Sequence, residues 1–331
     1  MRAMVLEGVG LAEEQPLKLR DVPVPNVGAG ELLLKVRACG VCRTDLHIVE
    51  GELDLPRLPL IPGHEVVAEV VEAGEGTEGF AVGDRVGVPW LYDTPEDCLW
   101  RQRGLENLCP DARFTGYHVD GGYAEYMVSR AEFTYGLPEG YSDVEAAPLL
   151  CAGVIGYRAL KLSELQPGYV FGIYGFGGSA HITIQVAVSW GCPVYVFTRS
   201  ERHRTLAREL GAEWVGGLED DPPGPVDSAI NFTPAGPVVL KALRHLRPGG
   251  TVVCAGIYQS PIPAMDYGLL YGERTLRSAA NSTREDVREL LAEAEKVGIR
   301  TSVVTYPLEE ANEALIALKH SEIDGAAVLV V

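Results

Sequence analysis

The sequence predicts an α/β chain in which a parallel, doubly wound sheet follows an irregular β-rich region. Three observations lead there. From about residue 151 onward, apolar strands alternate with amphipathic helices. A glycine-rich turn joins the first of those strands to its helix. The first 140 residues are instead rich in Gly, Pro and Val, with short apolar or alternating runs. A length of 331 residues suits two domains with a substantial core.

In chain order, Glu31-Leu32-Leu33-Leu34-Lys35-Val36 and Val66-Val67-Ala68-Glu69-Val70-Val71 read as strands, punctuated by Gly83-Asp84 and Gly121-Gly122. A strand over 169–174, a helix over 179–190, a strand over 194–198 and a helix over 201–210 closed by Gly211 then form a βαβα run. Strands over 228–232 and 251–255 follow, with a helix over 238–246 that Pro248-Gly249-Gly250 is expected to stop. Helices over 284–297 and 309–320 and a strand over 326–331 complete the chain. One domain is expected to comprise 1–150 and 286–331, and the other 151–285. There is no internal repeat or low-complexity segment.

The balance of 28 Lys plus Arg against 46 Asp plus Glu gives a net charge of −18, which repels phosphate backbones and argues against nucleic acid as a partner. Seven cysteines are odd in number and too sparse for a disulfide framework, which suggests a reducing, cytoplasmic setting. No secretory signal is expected, because Glu7 interrupts the N-terminus before any apolar run of sufficient length. From Leu165 to Thr198 the chain carries no Asp, Glu, Lys or Arg, long enough to suggest a membrane span. Glycines that include Gly172, Gly175, Gly177, Gly178 and Gly191, with Pro167 and Pro193, cut it into strand, turn, helix and strand instead, so no membrane partner is expected.

Gly175-Phe176-Gly177-Gly178-Ser179-Ala180 gives G-x-G-x-x-A between a strand and a helix, the context that a dinucleotide fingerprint requires. The first glycine makes the turn, the second lets the backbone approach a pyrophosphate, and the helix N-terminus receives the anion. An NAD site usually places an acid at the end of the next strand to hold the ribose 2′-OH. Here that strand ends in Thr198-Arg199-Ser200, whose guanidinium and hydroxyls suit a 2′-phosphate. NADP(H) is therefore favoured, with NAD(H) as the alternative.

Metal-binding residue types concentrate in four other segments: Cys39-Gly40-Val41-Cys42-Arg43-Thr44-Asp45-Leu46-His47, Gly63-His64-Glu65, Cys98 with Cys109, and Leu150-Cys151-Ala152-Gly153. Zinc takes sulfur, imidazole nitrogen and carboxylate oxygen, and a catalytic site keeps one position open. Spacing alone leaves Cys39 and Cys42 as a redox pair, as half of a four-cysteine site with Cys98 and Cys109, or as one ligand and a bystander.

These segments, with Gly83-Asp84-Arg85-Val86, Gly121-Gly122-Tyr123-Ala124-Glu125-Tyr126 and the nucleotide loop, follow one another in an order that resembles the zinc-dependent alcohol dehydrogenases of the medium-chain dehydrogenase/reductase family. The likeness covers essentially the whole chain. It implies a Rossmann domain inserted into a GroES-like catalytic domain. It also implies a catalytic zinc on Cys42, His64 and Cys151, with Glu65 as an alternating fourth ligand or a carboxylate behind the metal. By the same resemblance Asp45 orients His64, Thr44 touches the substrate hydroxyl, His47 passes its proton to solvent, and Arg43 meets the cofactor pyrophosphate. Cys39 becomes a small buried hydrophobe.

The implied reaction is reversible hydride transfer between an alcohol and the nicotinamide of NAD(P), on a small-molecule alcohol or aldehyde, in a homodimer or homotetramer. Trp90 resembles the bulky pocket wall of relatives that take small alcohols, and reads equally well as a core aromatic. Two competitors stand beside this reading. A zinc-independent quinone or enone reductase of the same fold leaves Cys42, His64, Glu65 and Cys151 without a purpose, and a non-catalytic nucleotide-binding protein needs no ligand set at all.

The sequence departs from the resemblance in one lobe. Relatives with a structural zinc carry four cysteines where this chain has Pro95, Cys98, Arg101 and Cys109, so that site is expected to be lost. Cys98 and Cys109 are left as free thiols or a disulfide, and pairs such as Arg101 or Arg103 with Asp97 or Glu96 are expected to hold the lobe. Ala326 stands where relatives often place an Arg that reaches the cofactor phosphate.

Overall fold

The alternation that begins at Glu31 runs on as one strand, Glu31–Val41, in the computed structural model, which describes residues 1–331. Leu32, Leu34 and Val36 point into a core, and from Ala38 every residue is buried, because the strand there leaves the surface and delivers Cys39-Gly40-Val41 into the interior. It is the hub of a seven-stranded sheet ordered Val303–Pro307, Ala326–Val330, Glu31–Val41, Glu65–Ala73, Arg85–Val88 and Tyr135–Gly136, with Tyr126–Arg130 also paired to Glu31–Val41. Register shifts between Leu33 and Leu34 and between Val36 and Ala38 let the hub bend and pair with several neighbours. Val66, Ala68, Val70, Tyr123 and Leu329 complete the core around it.

This sheet belongs to a compact unit made of Met1–Cys151, Thr283–Ala292 and Thr301–Val331; a second unit comprises Ala152–Ser282 and Glu293–Arg300. The helix Arg284–Val297 has the ends that the sequence suggested, but the boundary falls inside it, so 293–300 group with the second unit and not with the segment 286–331.

The second unit is a six-stranded parallel sheet ordered Trp214–Gly216, Val194–Phe197, Phe171–Tyr174, Val226–Asn231, Leu246–Cys254 and Thr275–Ser278. In chain order this is the 3-2-1-4-5-6 arrangement of a Rossmann sheet. Phe171–Tyr174 and Val194–Phe197 are buried at every residue, as strands covered on both faces must be, and Tyr174 stacks on Phe197 at 4.3 Å. The helices Gly178–Ser189, Glu201–Glu209 and Gly236–His245 lie between strands as expected.

One expectation needs correction. Pro248-Gly249-Gly250 does not follow a helix in a loop; it lies inside the strand Leu246–Cys254. The register shift there between Val226 and Ser228 lets a strand hold a proline, because the ladder is already interrupted. The helix Ala152–Leu162 and the strands Trp214–Gly216 and Thr275–Ser278 were not anticipated. No helix is long and apolar enough to cross a membrane, and the uncharged run 165–198 contains strand, helix and strand.

Candidate functional site

Cys42 ends the hub strand and is the N-cap of the helix Arg43–Val49. Its sulfur accepts the backbone N–H of Thr44 at 3.5 Å, and its own N–H donates to Asp45 Oδ2 at 2.9 Å. This reciprocal capping fixes the cysteine and turns Asp45 inward. Asp45 is fully buried; its Oδ1 also accepts from Gly63 N at 3.2 Å and faces His64 Nδ1 at 3.0 Å. Burying a carboxylate costs several kcal/mol, and three charge-assisted hydrogen bonds at roughly 1.5–3 kcal/mol each offset that cost.

Because an ionised carboxylate only accepts, the bond to Asp45 puts hydrogen on His64 Nδ1 and leaves Nε2 as the outward ligand atom. His64 is fully buried, and Nε2 has no hydrogen-bond partner. Burial opposes a charge on this ring, but Asp45 and Cys42 together outweigh the burial, so the His64 pKa lies above its ordinary value. Glu65 follows at the start of Glu65–Ala73 and is buried, its carboxylate lying across Gly40 so closely that a Cβ there would come within 1.9 Å of Oε2. Cys151 follows the buried 3-10 turn Ala147–Leu150.

One ligand atom from each of Cys42, His64, Glu65 and Cys151 lies within 4.8 Å of the others, and the two sulfurs are 4.0 Å apart. The contact with Cys151 holds the Cys42 thiol below its ordinary pKa and pushes that of Cys151 up. Two sulfurs this close share a proton, and both ionise only when a cation joins them. An unsatisfied buried imidazole nitrogen, two facing sulfurs and a carboxylate form a donor set that fits zinc. His64 and Glu65 are buried and the cysteines are partly exposed, so the cluster opens on its sulfur side.

The neighbouring residues fall around this cluster. Thr44 is buried with its hydroxyl 3.8 Å from Cys42 Sγ, Arg43 is exposed beside it, and His47 lies in the last turn of the same helix with Nδ1 bonded to Glu52. Cys39 is fully buried and belongs to the core. Trp90 meets the ring of His64 edge-on at 4.8 Å and stacks on Phe114 at 5.0 Å, with Tyr117 at 5.8 Å. The sequence reading missed Phe114, Tyr117 and Glu52; the run Phe114-Thr115-Gly116-Tyr117-His118 just before Gly121-Gly122 was the available signal for the aromatics. A cavity of about 400 Å³ in this unit is lined by residues such as Met1, Val22, Leu60 and Tyr126 and by none of the four ligands. Convergence of ligand atoms, not cavity size, marks this site.

In the lobe, Cys98 and Cys109 are joined as a disulfide. Arg101 does not pair with Asp97 or Glu96, and Arg103 lies over Trp100; Arg101 donates to Thr94 O at 2.6 Å and to Glu132 at 2.5 Å. Arg284 bonds Glu132 as well, and donates to Glu106 Oε1 through its backbone N–H at 2.9 Å and through Nε at 3.1 Å. Both guanidinium groups lie over Phe133. Long-range partners replace the adjacent acids because the short helix Leu99–Gln102 turns Arg101 toward Phe133.

In the second unit, Gly175 turns the chain at φ +86 between Phe171–Tyr174 and Gly178–Ser189, Phe176 is buried, and Gly177 is the exposed N-cap of the helix. Thr198 is buried, its N–H donating to Gly216 O at 2.9 Å, and Ser200 caps Glu201–Glu209 by accepting from His203 N at 3.4 Å. Arg199 between them is exposed.

Residues 28–139 match the alcohol dehydrogenase GroES-like domain, and residues 178–296 match the zinc-binding dehydrogenase family. The chain is 47% identical over its whole length, and 97% of the relative's, to a Mycobacterium tuberculosis protein named probable alcohol dehydrogenase AdhA. It is 38% identical to an alcohol dehydrogenase of Geobacillus stearothermophilus, over 96% of each chain. A solved structure of a cobalt- and zinc-bound thermostable alcohol dehydrogenase from Pyrobaculum aerophilum superposes with a TM-score of 0.92 at 26% identity, covering 100% of this chain and 99% of that one.

Proposed function

Since the chain belongs to the zinc-type alcohol dehydrogenases of the medium-chain dehydrogenase/reductase family, we propose that it catalyses reversible oxidation of a primary or secondary alcohol to an aldehyde or ketone with a nicotinamide cofactor. The observation that carries this reading is the convergence of Cys42, His64, Glu65 and Cys151, with Asp45 fixing His64 Nε2 as a ligand atom. Zinc bound by these residues supplies Lewis acidity, lowering the pKa of the alcohol and polarising the carbonyl in reverse. Glu65 serves as the alternating ligand or as the carboxylate behind the metal. Trp90 and Phe114 exclude water from the face of His64 and wall the substrate, which favours small alcohols. Thr44 touches the substrate hydroxyl, accepting its hydrogen as it gives up its own, and His47 passes the proton to solvent.

In the second unit, Gly175, Phe176, Gly177 and Gly178 present backbone N–H groups to the pyrophosphate. Thr198 is buried and the Ser200 hydroxyl caps its helix, so the exposed Arg199 is the residue best placed to hold a 2′-phosphate. NADP(H) is the favoured cofactor on that ground. The disulfide commits Cys98 and Cys109 to each other, which supports a single zinc per chain. Five unpaired cysteines, two of them ligands that must stay reduced, support a cytoplasmic setting. A homodimer or homotetramer is part of the reading. Thr275–Ser278 is an uncovered sheet edge, and Ile257, Tyr267 and Tyr271, all at least half exposed, stand near it in sequence.

The deciding experiment is a zinc count after dialysis beside a steady-state panel of alcohols and aldehydes with both cofactors. About one zinc per chain that is required for alcohol oxidation is expected. Zinc-free protein that still reduces quinones overturns the reading, and nucleotide binding without turnover of any alcohol or carbonyl points to a non-catalytic protein. Arg199→Ala should raise KM for NADP(H) about tenfold or more and leave NAD(H) nearly unchanged; equal loss for both removes the 2′-phosphate role.

A further inference from the structure

The helix Arg43–Val49, which carries Thr44 and His47, ends in a backbone motif that sets the position of Glu52. Gly51 takes φ +72 and donates its N–H to Ile48 O at 3.2 Å, while the N–H of Glu52 reaches back to His47 O at 2.9 Å. These are the paired bonds of a Schellman ending. An L side chain at Gly51 is strained at that φ, and its Cβ would meet Val9 at 3.0 Å. The chain therefore reverses at the helix end, and Glu52 Oε2 lies against His47 Nδ1. The His47 side chain is 14% exposed and that of Glu52 47%, so an enclosed ring is joined to a carboxylate that reaches solvent.

An ionised carboxylate has no hydrogen to give, so the shared hydrogen belongs to Nδ1. That selects the neutral tautomer whose lone pair is on Nε2, by the same logic through which Asp45 prepares His64. We propose that Glu52 is a positioning residue for proton transfer: it holds His47 in the tautomer and orientation in which Nε2 accepts a proton. This rests on the part given to His47 in the dehydrogenase reading. Each oxidation releases one proton from the hydroxyl. His47 gains one at Nε2 and returns one to solvent water, so the ring ends each turnover neutral and only the nicotinamide changes oxidation state. Glu52 itself touches neither substrate nor cofactor in this scheme.

The test reads the ring nitrogens of 15N-histidine-labelled protein at alkaline pH, with and without metal, assigning His47 by its loss in His47→Asn. Wild type is expected to show hydrogen on Nδ1. Glu52→Ala should move it toward Nε2, and Glu52→Gln, which keeps an acceptor oxygen, should largely retain the wild-type tautomer. In steady state Glu52→Ala should lower kcat for alcohol oxidation about tenfold, with the cofactor KM changed less than about twofold and partial recovery in Glu52→Gln. An unchanged tautomer in Glu52→Ala overturns the proposal, and so does a changed tautomer with unchanged kcat. Wild-type protein without zinc or turnover defeats the dehydrogenase reading instead, and the tautomer measurement on metal-free protein still decides whether Glu52 sets the ring.

Discussion

At Cys42 and Cys151 two sulfurs stand 4.0 Å apart, unjoined, beside His64 and Glu65, whereas Cys98 and Cys109 in the lobe of the same unit are bonded to each other. The difference follows from what holds each pair. Cys42 sits between the hub strand and a capped helix, and Cys151 ends a buried turn, so their spacing is set by elements that would hold it without any bond between them. The lobe is built from the four-residue helix Leu99–Gln102 and the three-residue turn Glu106–Leu108, too short to stand alone, with a small cluster of Leu91, Cys109, Ala112 and Phe133 beneath. Such a region needs a cross-link. Arg101 brings into this lobe a cation tied to Glu132, a charge that repels a metal ion.

The strongest way to break this comparison is to remove a ligand. Cys42→Ala or His64→Ala should release the zinc and lower kcat/KM at least about a thousandfold, roughly 4 kcal/mol of transition-state stabilisation. Retained zinc and turnover in either variant sinks the ligand assignment. Asp45→Asn asks a finer question, because the amide preserves shape but offers an N–H as well as an acceptor, weakening the selection of hydrogen on His64 Nδ1. A drop of about 10- to 100-fold in metal affinity or activity is expected, read by competition with a chelator and by kcat/KM.

In the lobe the expected response has the opposite character. Cys98→Ser with Cys109→Ser should leave the zinc count and kcat within about twofold of wild type and cost about 2–3 kcal/mol of stability. A fall in melting temperature of about 5–10 °C is the measurement. If the double variant loses zinc, the two regions are not independent. Coupling has a visible route, since Phe114, which lies five residues after Cys109 and packs on the lobe cluster, stacks on Trp90, and Trp90 touches His64.

Much of the candidate metal site was legible because its residues are local in sequence and repeat a known order. Cys42 and Asp45 are three apart on one helix turn, and His64-Glu65 are adjacent, so a short motif already carries the capping geometry. The second sheet was legible for a similar reason, its strands being apolar throughout and its glycine turn sitting where strand meets helix. What failed to show was non-local. Glu132 and Arg284 find Arg101 and Glu106 across 31 and 178 residues, and no spacing rule links them. The edge strand Thr275–Ser278 carries Thr, Arg and Ser on an exposed edge and lacks the apolar run that marked its neighbours. Pro248 hid a strand because only the register shift opposite it makes a proline acceptable there.

The smallest expected effect lies in those same non-local pairs, and it separates the lobe's two supports. Burial pushes the Glu106 carboxyl up, but the backbone N–H and guanidinium of Arg284 outweigh it and hold the pKa below the ordinary 4.5. A carboxylate whose folded pKa lies below its unfolded value contributes stability that is complete above the unfolded pKa. That stability is lost as pH falls through the folded one. Glu106→Gln should therefore cost about 1–2 kcal/mol near neutral pH, less than a fully enclosed pair, because Arg284 remains 20% exposed. The difference in melting temperature between wild type and variant should shrink as pH falls through 4.5 and below, while the increment from the disulfide stays, since a disulfide does not titrate. A Glu106→Gln difference that persists unchanged into acid means that the amide is lost to packing and that the charge contributes nothing.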